Sequence, residues 1–257
     1  MNILCIGDVF GEAGCDALRK RLPLFKKQNN IDMVIANGEN SAAGNGITPD
    51  SARFLLNCGV DIITGGNHSL RRKEIFDMLE DSSVILRPEN MGGDLAGGGF
   101  GIVDFGHTRV AVINLLGSVY LEAAENPFLC AERLVGKAKE QGINIIIVDF
   151  HAEVTSEKRA MGFFLDGKVS AVFGTHTHVT TADEQILPAK TGYITDLGMS
   201  GVEESVLGVK KEIIIDRLKN GGCERFLPAE GECSINGCIF SVEKSTGKCN
   251  SVKRVKF

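Results

Sequence analysis

Short apolar runs recur along the first two thirds of the chain, at residues 1–6, 33–36, 60–64, 143–150 and 169–173, and each closes on glycine or polar residues. Their length and β-branched content predict buried strands. The run at 143–150 is so continuous that it predicts a strand covered on both faces. Between the runs the spacing turns helical. Leu18, Leu22 and Phe25 predict a helix ending near Lys27, Pro49 suits the first turn of a helix reaching about Asn57, and 73–80, 131–140 and 156–164 also read as helix. Residues 101–105 and 109–114 form a predicted hairpin with Gly106-His107-Thr108 at its turn, which makes His107 a surface residue. The glycine-rich stretch 91–100 is read as a mobile loop beside the site. Beyond Tyr193 the pattern changes: 212–216, 238–242 and 251–256 read as strands without long helices between them, and predict a second sheet packed on the first. No repeat or linker interrupts the pattern, so residues 1–257 are expected to form one α/β domain.

Composition narrows the class. A chain of 257 residues, 43% hydrophobic, can bury one large core. Its net charge of -5 argues against tight binding to long duplex nucleic acid, which relies on clustered Lys and Arg. No stretch approaches the roughly 18 apolar residues of a membrane span, and the start lacks the basic and apolar regions of a signal peptide. The eight cysteines include no Cys-x-x-Cys, and the Cys233 and Cys238 spacing fits no common zinc motif. They are read as reduced thiols of a cytoplasmic protein; a homo-oligomer is left open.

The chemistry lies at the ends of the apolar runs. Asp8 follows the first, Glu39 and Asn40 the second, Asn67 and His68 the third, His151 the fourth, and His176 and His178 the fifth. The last two stand at i and i+2, which on an extended backbone puts both imidazoles on one side. Asp8, Glu39, Asn40, Asn67, His151, His176 and His178 make a mixed oxygen and nitrogen set, too rich for one tetrahedral zinc and without thiolates. Such a set suits two ions roughly 3.5–4 Å apart, the arrangement used to hydrolyse phosphate esters. Its histidines favour Fe, Mn or Zn over Mg. His68 sits next to a ligand-type residue, and adjacent side chains of an extended segment diverge, so it is a candidate proton donor to a leaving alkoxide, with an eighth ligand or a structural histidine as the alternatives. The glycines at 7, 11 and 14 match neither nucleotide fingerprint, and Asp8 would repel a pyrophosphate there.

Gly7-Asp8, Gly38-Glu39-Asn40, Gly65-Gly66-Asn67-His68, His151-Ala152-Glu153 and Gly174-Thr175-His176-Thr177-His178 together resemble the ordered motifs of the calcineurin-like metallophosphoesterases. The chain is most similar to their bacterial YmdB-type branch, the 2′,3′-cyclic-nucleotide phosphodiesterases. Glu39-Asn40 stands where other branches carry Gly-Asp, Phe10 replaces the first-motif histidine, and residues 152–162, 179–188 and 193–199 are also branch-like. The resemblance implies two mixed β-sheets packed face to face with helices on both outer sides. It implies two metal ions per chain, Fe foremost with Mn or Zn as alternatives. One ion would be held by Asp8, Glu39, Asn40 and His178, the other by Glu39, Asn67, His151 and His176, with Glu39 bridging and His68 as general acid. The expected reaction is in-line attack of a metal-bridging hydroxide on a 2′,3′-cyclic nucleotide or another small phosphodiester. The alternatives are a broader phosphomonoesterase or RNA nuclease, and a regulatory metal-holding binder. Ser69-Leu70-Arg71 departs from the branch's Thr-Trp-Asp-like run, which leaves substrate preference open; no substrate-binding residue is assigned.

Overall fold

Alternate residues of the apolar runs face two different cores, and that alternation sets the layering. The structure, a computed structural model, describes Met1–Phe257. In chain order it contains β1 (Asn2–Ile6), β2 (Asp8–Val9), α1 (Gly11–Asn29), β3 (Met33–Asn37), α2 (Pro49–Asn57), β4 (Ile62–Thr64) and α3 (Phe76–Asp81). There follow β5 (Phe100–Asp104), β6 (Arg109–Leu116), α4 (Pro127–Glu140), β7 (Ile145–His151), α5 (Thr155–Phe164), β8 (Ala171–Thr175), β9 (Gln185–Ile186) and β10 (Gly192–Ile194). The chain ends with β11 (Met199–Val202), α6 (Lys211–Asn220), β12 (Cys233–Ser234), β13 (Asn236–Val242) and β14 (Cys249–Lys256).

One sheet has the order β14-β13-β1-β3-β4 and the other β5-β6-β7-β8-β10-β9. Both are mixed: β1, β3 and β4 are parallel while β13 runs against β1, and β6, β7, β8 and β10 are parallel while β5 and β9 run against their neighbours. Ile3, Cys5, Met33 and Ile35 enter a core shared with Val112, Ile147, Ala171 and Phe173 of the second sheet. The intervening Leu4, Ile6, Val34 and Ala36 face outward onto Leu18 and Leu22 of α1 and Leu55 of α2. On the other side Ile113, Ile146 and Val148 pack against Leu134 of α4 and Met161 of α5. The result is helix, sheet, sheet, helix, the architecture that the resemblance implied. Truncating a fully buried side chain such as Leu134 to Ala is expected to cost about 2–5 kcal/mol.

Two expectations for the last third are corrected. The terminal strands do not build a second sheet: β13 pairs with β1, with Cys5 opposite Cys238, so the chain end completes the first sheet and the second comes from the middle of the chain. Residues 212–216, expected as a strand from the run Ile213-Ile214-Ile215, lie in α6. A short β-branched run does not distinguish strand from helix by itself; here only Ile213 is buried, Leu218 is exposed, and Gly221 at φ 73° ends the helix in the left-handed conformation. A small third sheet, β12-β11-β2, was not anticipated; it pairs Met199 with Asp8 and anchors the exit of β1.

His107 lies exposed beyond β5, as its turn position implied. All eight cysteines are free thiols, six of them buried. No helix is long and apolar enough to cross a membrane. Because the parallel strands of each sheet share a direction, the residues that follow β1, β3, β4, β7 and β8 emerge at one edge.

Candidate metal centre

At that edge the candidate residues meet. Asp8, buried, opens β2 just after β1, Glu39, also buried, follows β3, His151 is the last residue of β7, and His176 and His178 follow β8. His151 Nε2 lies 2.9 Å from Asn67 Oδ1, 3.1 Å from His176 Nδ1 and 3.3 Å from Glu39 Oε1. Beside this group, His178 Nε2 is 3.3 Å from Asn40 Nδ2 and 3.6 Å from Asp8 Oδ1, and Asn40 Nδ2 is 3.2 Å from Glu39 Oε1. Glu39 therefore stands between two groups of donors. The ligand-type atoms of Glu39, His151 and His176 all lie within 4.8 Å of one another.

His68 sits over the same carboxylate. Its backbone N–H donates to Glu39 Oε2 at 2.8 Å, and its Nδ1 is 2.9 Å from Asn40 Oδ1. With Nδ1–H donating to that amide oxygen, Nε2 is left open on a partly exposed ring. The route by which His68 arrives differs from the expected one. Residues 66–71 form tight turns, with Ser69 N donating to Gly66 O at 3.1 Å and Arg71 N to His68 O at 3.0 Å, so Asn67 and His68 both turn inward and do not diverge from an extended strand. Ser69 is buried and its Oγ accepts from Gly66 N at 2.8 Å, which makes it part of the turn and not of the site rim. The His-x-His pair is also not extended, because His176 has φ 101° and His178 φ 63°.

The electrostatics follow from crowding carboxylates and imidazoles in a buried place. Burial disfavours charge on Asp8 and Glu39, yet the neighbouring histidines hold both carboxyls below their usual range. Burial likewise opposes a charged His151, but Glu39, Asp8 and Asp149 outweigh it and raise the ring to about 9. His178 is raised by its contact with Asp8 against the pull of burial, whereas burial and the charge on His151 push His176 down to about 4. Burial lowers His68 as well.

These residues fit a cation. The lone pairs of Glu39 Oε1, Asn67 Oδ1 and His176 Nδ1 converge on one nitrogen, His151 Nε2, where a single shared proton can satisfy only part of them. Asp8 Oδ1 is buried without any hydrogen-bond partner. A divalent ion would satisfy such a set. Ion uptake must then displace the proton from His151, and the sign follows. Below about 9 the ring is protonated and competes with the ion, so the apparent metal affinity of the ion-free chain rises with pH until His151 is neutral. The slope should be about tenfold per pH unit for each proton displaced. Titrations with Mn²⁺ between pH 6 and 9, in buffers of different ionisation enthalpy, measure both slope and proton release; a flat profile would remove His151 from the ion's ligands.

Close approach is built in at Gly66, where an added Cβ would collide with His151 Nε2 and Glu39 Oε2. Gly66→Ala is therefore expected to fold but to take up less metal than the parent, as read by metal analysis beside a thermal melt. Full uptake would mean that the loop yields.

Behind the ligand-type residues stands a polar layer that the strand-end reading missed. Asp149 is fully buried in β7 and accepts from Thr64 Oγ1 at 2.5 Å and Thr175 Oγ1 at 2.7 Å, with burial raising its carboxyl to about 7. Thr175 has one proton to give and gives it to Asp149, so its oxygen, 2.9 Å from His151 Nδ1, must accept from that ring. Once the ring is neutral, this keeps its remaining proton on Nδ1 and leaves the Nε2 lone pair turned toward Glu39, a supporting role typical of residues behind metal ligands. Asn37 Nδ2 ties the same layer to Gly65 O at 3.0 Å. Glu153 Oε2 lies 3.1 Å from His176 Nε2 and orients that ring from the solvent side. The available signal was a polar residue inside an apolar run: Asn37 closing one strand, and Asp149 within the strand read as continuously apolar.

A family model described as YmdB-like protein matches residues 4–255. The chain is 42% identical, over 99% of its length and 96% of the relative's, to the 2′,3′-cyclic-nucleotide 2′-phosphodiesterase of Bacillus subtilis (strain 168). Among solved structures it is similar to a novel phosphatase of Mycoplasma pneumoniae, with TM-score 0.93 and 33% identity, covering all of this chain and 93% of that one. A hypothetical protein from Thermus thermophilus gives TM-score 0.92 and 35% identity, covering 100% of this chain and 99% of that one.

Proposed function

The chain belongs to the YmdB-like family, and from that premise we propose that it is a dinuclear-metal phosphodiesterase acting on 2′,3′-cyclic nucleotides and other small phosphodiesters. The observation that supports the reading is the place of the single buried carboxylate of Glu39, between His151 with Asn67 and His176 on one side and Asn40 with His178 and Asp8 on the other. Asp8, Glu39, Asn40 and His178 would hold one ion, and Glu39, Asn67, His151 and His176 the other. The mixed imidazole and oxygen set favours Fe, Mn or Zn over Mg, and of these we propose Fe first. When bound, the two ions supply an activated water and neutralise charge on the phosphoryl oxygens.

The remaining steps fall to the chain's own groups. Asn40 sits between His68 and His178, and for its amide to reach a phosphoryl oxygen its Nδ2 would have to leave Glu39 or His178 when the ions bind. His68 keeps Nδ1 on Asn40 and presents Nε2 outward, the nitrogen from which a proton can pass to the departing ribose oxygen. We place the enzyme in the cytoplasm on the strength of its eight unpaired thiols.

The test is metal analysis of protein purified without air or chelator, run beside a panel of 2′,3′-cyclic nucleotides, linear phosphodiesters and phosphomonoesters. Two equivalents of metal with fastest turnover on the cyclic nucleotides is the expected result. Faster turnover of phosphomonoesters would displace the substrate assignment, and bound metal with poor turnover on every ester would make the chain a binder.

A further inference from the structure

The loop that delivers His176 and His178 adopts a backbone that histidine rarely takes, and one buried ion pair grips it at the point of strain. His176 has φ 101°, in the left-handed region that favours glycine. The Thr175 carbonyl, in the peptide plane before His176, accepts from Lys158 Nζ at 2.8 Å. The Thr177 N–H, in the plane after it, donates to Asp196 Oδ2 at 3.2 Å. Lys158 Nζ and Asp196 Oδ2 are themselves 2.5 Å apart, and both side chains are 1% exposed. The N–H of His176 completes the hold by donating to Asp8 Oδ2 at 3.1 Å.

The clamp is built from both sides. An added Cβ on Gly174 would come within 3.1 Å of Lys158 Cδ and collide with Thr195 O, so the lysine stem and the Asp196 segment lie directly against the loop. Asp196 Oδ1 accepts from Gly198 N at 2.8 Å, and a Cβ on Gly7, next to Asp8, would collide with Gly198 O. The pair thus connects the loop of His176 to the strand exit that carries Asp8.

We infer that Lys158 and Asp196 are positioning residues: together they fix the peptide planes on either side of His176 and so aim its ring at His151 and Glu39. A buried ion pair is weak as a source of net stability, because an apolar pair of similar volume often does as well. What an apolar pair cannot supply is a donor for Thr175 O and an acceptor for Thr177 N at the same point. The inference rests on the metal-site reading for its consequence, although the clamp itself is visible in the ion-free chain.

The experiment uses the full chain, with Lys158→Met and Asp196→Asn as separate variants and Leu134→Ala as a control destabilised far from the loop. Amide exchange of the metal-free proteins reads the clamp, and titration with Mn²⁺, with free ion followed by electron paramagnetic resonance, reads its effect. Both loop variants are expected to exchange faster at residues 175–178 than the parent while the rest of β8 keeps its protection. Each should bind one of two Mn²⁺ ions about 10- to 100-fold more weakly, the usual effect of disturbing a group behind a ligand. Leu134→Ala should keep both ions. Unchanged exchange and affinity in the loop variants, or the same changes in Leu134→Ala at equal loss of Tm, would overturn the inference. Should Lys158→Met not fold, Asp196→Asn decides alone. A parent that takes up no Mn²⁺ would refute the metal-site reading, and the exchange measurement would still judge the clamp.

Discussion

Glu39→Gln should lose both ions and all measurable turnover together, while the chain stays folded. The side chain is 1% exposed, and its two oxygens serve different neighbours: Oε1 faces His151 Nε2 at 3.3 Å and Asn40 Nδ2 at 3.2 Å, and Oε2 accepts from His68 N at 2.8 Å. Glutamine matches the shape and can keep one of these contacts, so the turn at His68 has no reason to collapse. It removes the one negative charge that two cations would share, and it puts an NH₂ donor where a lone pair is needed. Each ion should therefore bind more weakly by more than the roughly 10- to 100-fold that disturbing an outer partner costs. Metal stoichiometry and a thermal melt, measured on the same preparation, separate loss of ions from loss of fold. A Glu39→Gln protein that kept two equivalents of metal and a near-normal rate would end the bridging assignment.

How far the sequence led depends on the kind of information each feature needs. The strand ends were legible because a buried strand must finish in polar residues, and Asp8, Glu39, Asn67, His151 and His176 stand within three residues of the ends of such runs. That they meet follows from parallel strands sharing a direction, which the alternation of strand and helix already implied. The partner of β1 was not legible: β13 lies more than two hundred residues later, and nothing local to either strand specifies their antiparallel register. α6 was misread because three consecutive isoleucines carry no period.

The geometry within the site was hidden for a different reason. Spacing rules assume ideal backbones, yet His176 and His178 occupy left-handed conformations and Asn67 and His68 share a tight turn. Such conformations depend on tertiary partners, here Lys158 and Asp196 on the peptide planes flanking His176 and the Glu39 carboxylate that accepts from His68 N at the second. Asp149 escaped because one carboxylate in an apolar strand reads as noise until Thr64 and Thr175 are seen to donate to it.

His68→Ala should leave both ions in place and slow only substrates whose leaving group needs a proton. No donor of either group is removed, since Asp8, Asn40 and His178 remain on one side of Glu39 and Asn67, His151 and His176 on the other. The backbone N–H that holds Glu39 Oε2 also survives the substitution. What disappears is a ring whose Nδ1 is fixed on Asn40 and whose Nε2 faces outward. A positioned general acid contributes ~10²- to 10⁴-fold, so kcat on a cyclic nucleotide, where a ribose alkoxide departs, should fall by about that factor. A nitrophenolate leaves without taking a proton, so a nitrophenyl phosphodiester should lose much less. The contrast between the two substrates is the informative quantity, because damage to the ion site slows both alike. Parallel losses on both, or loss of metal from the His68→Ala protein, would return His68 to a ligand or structural role; retained metal with a selective loss on the alkoxide substrate would place the proton donor at His68.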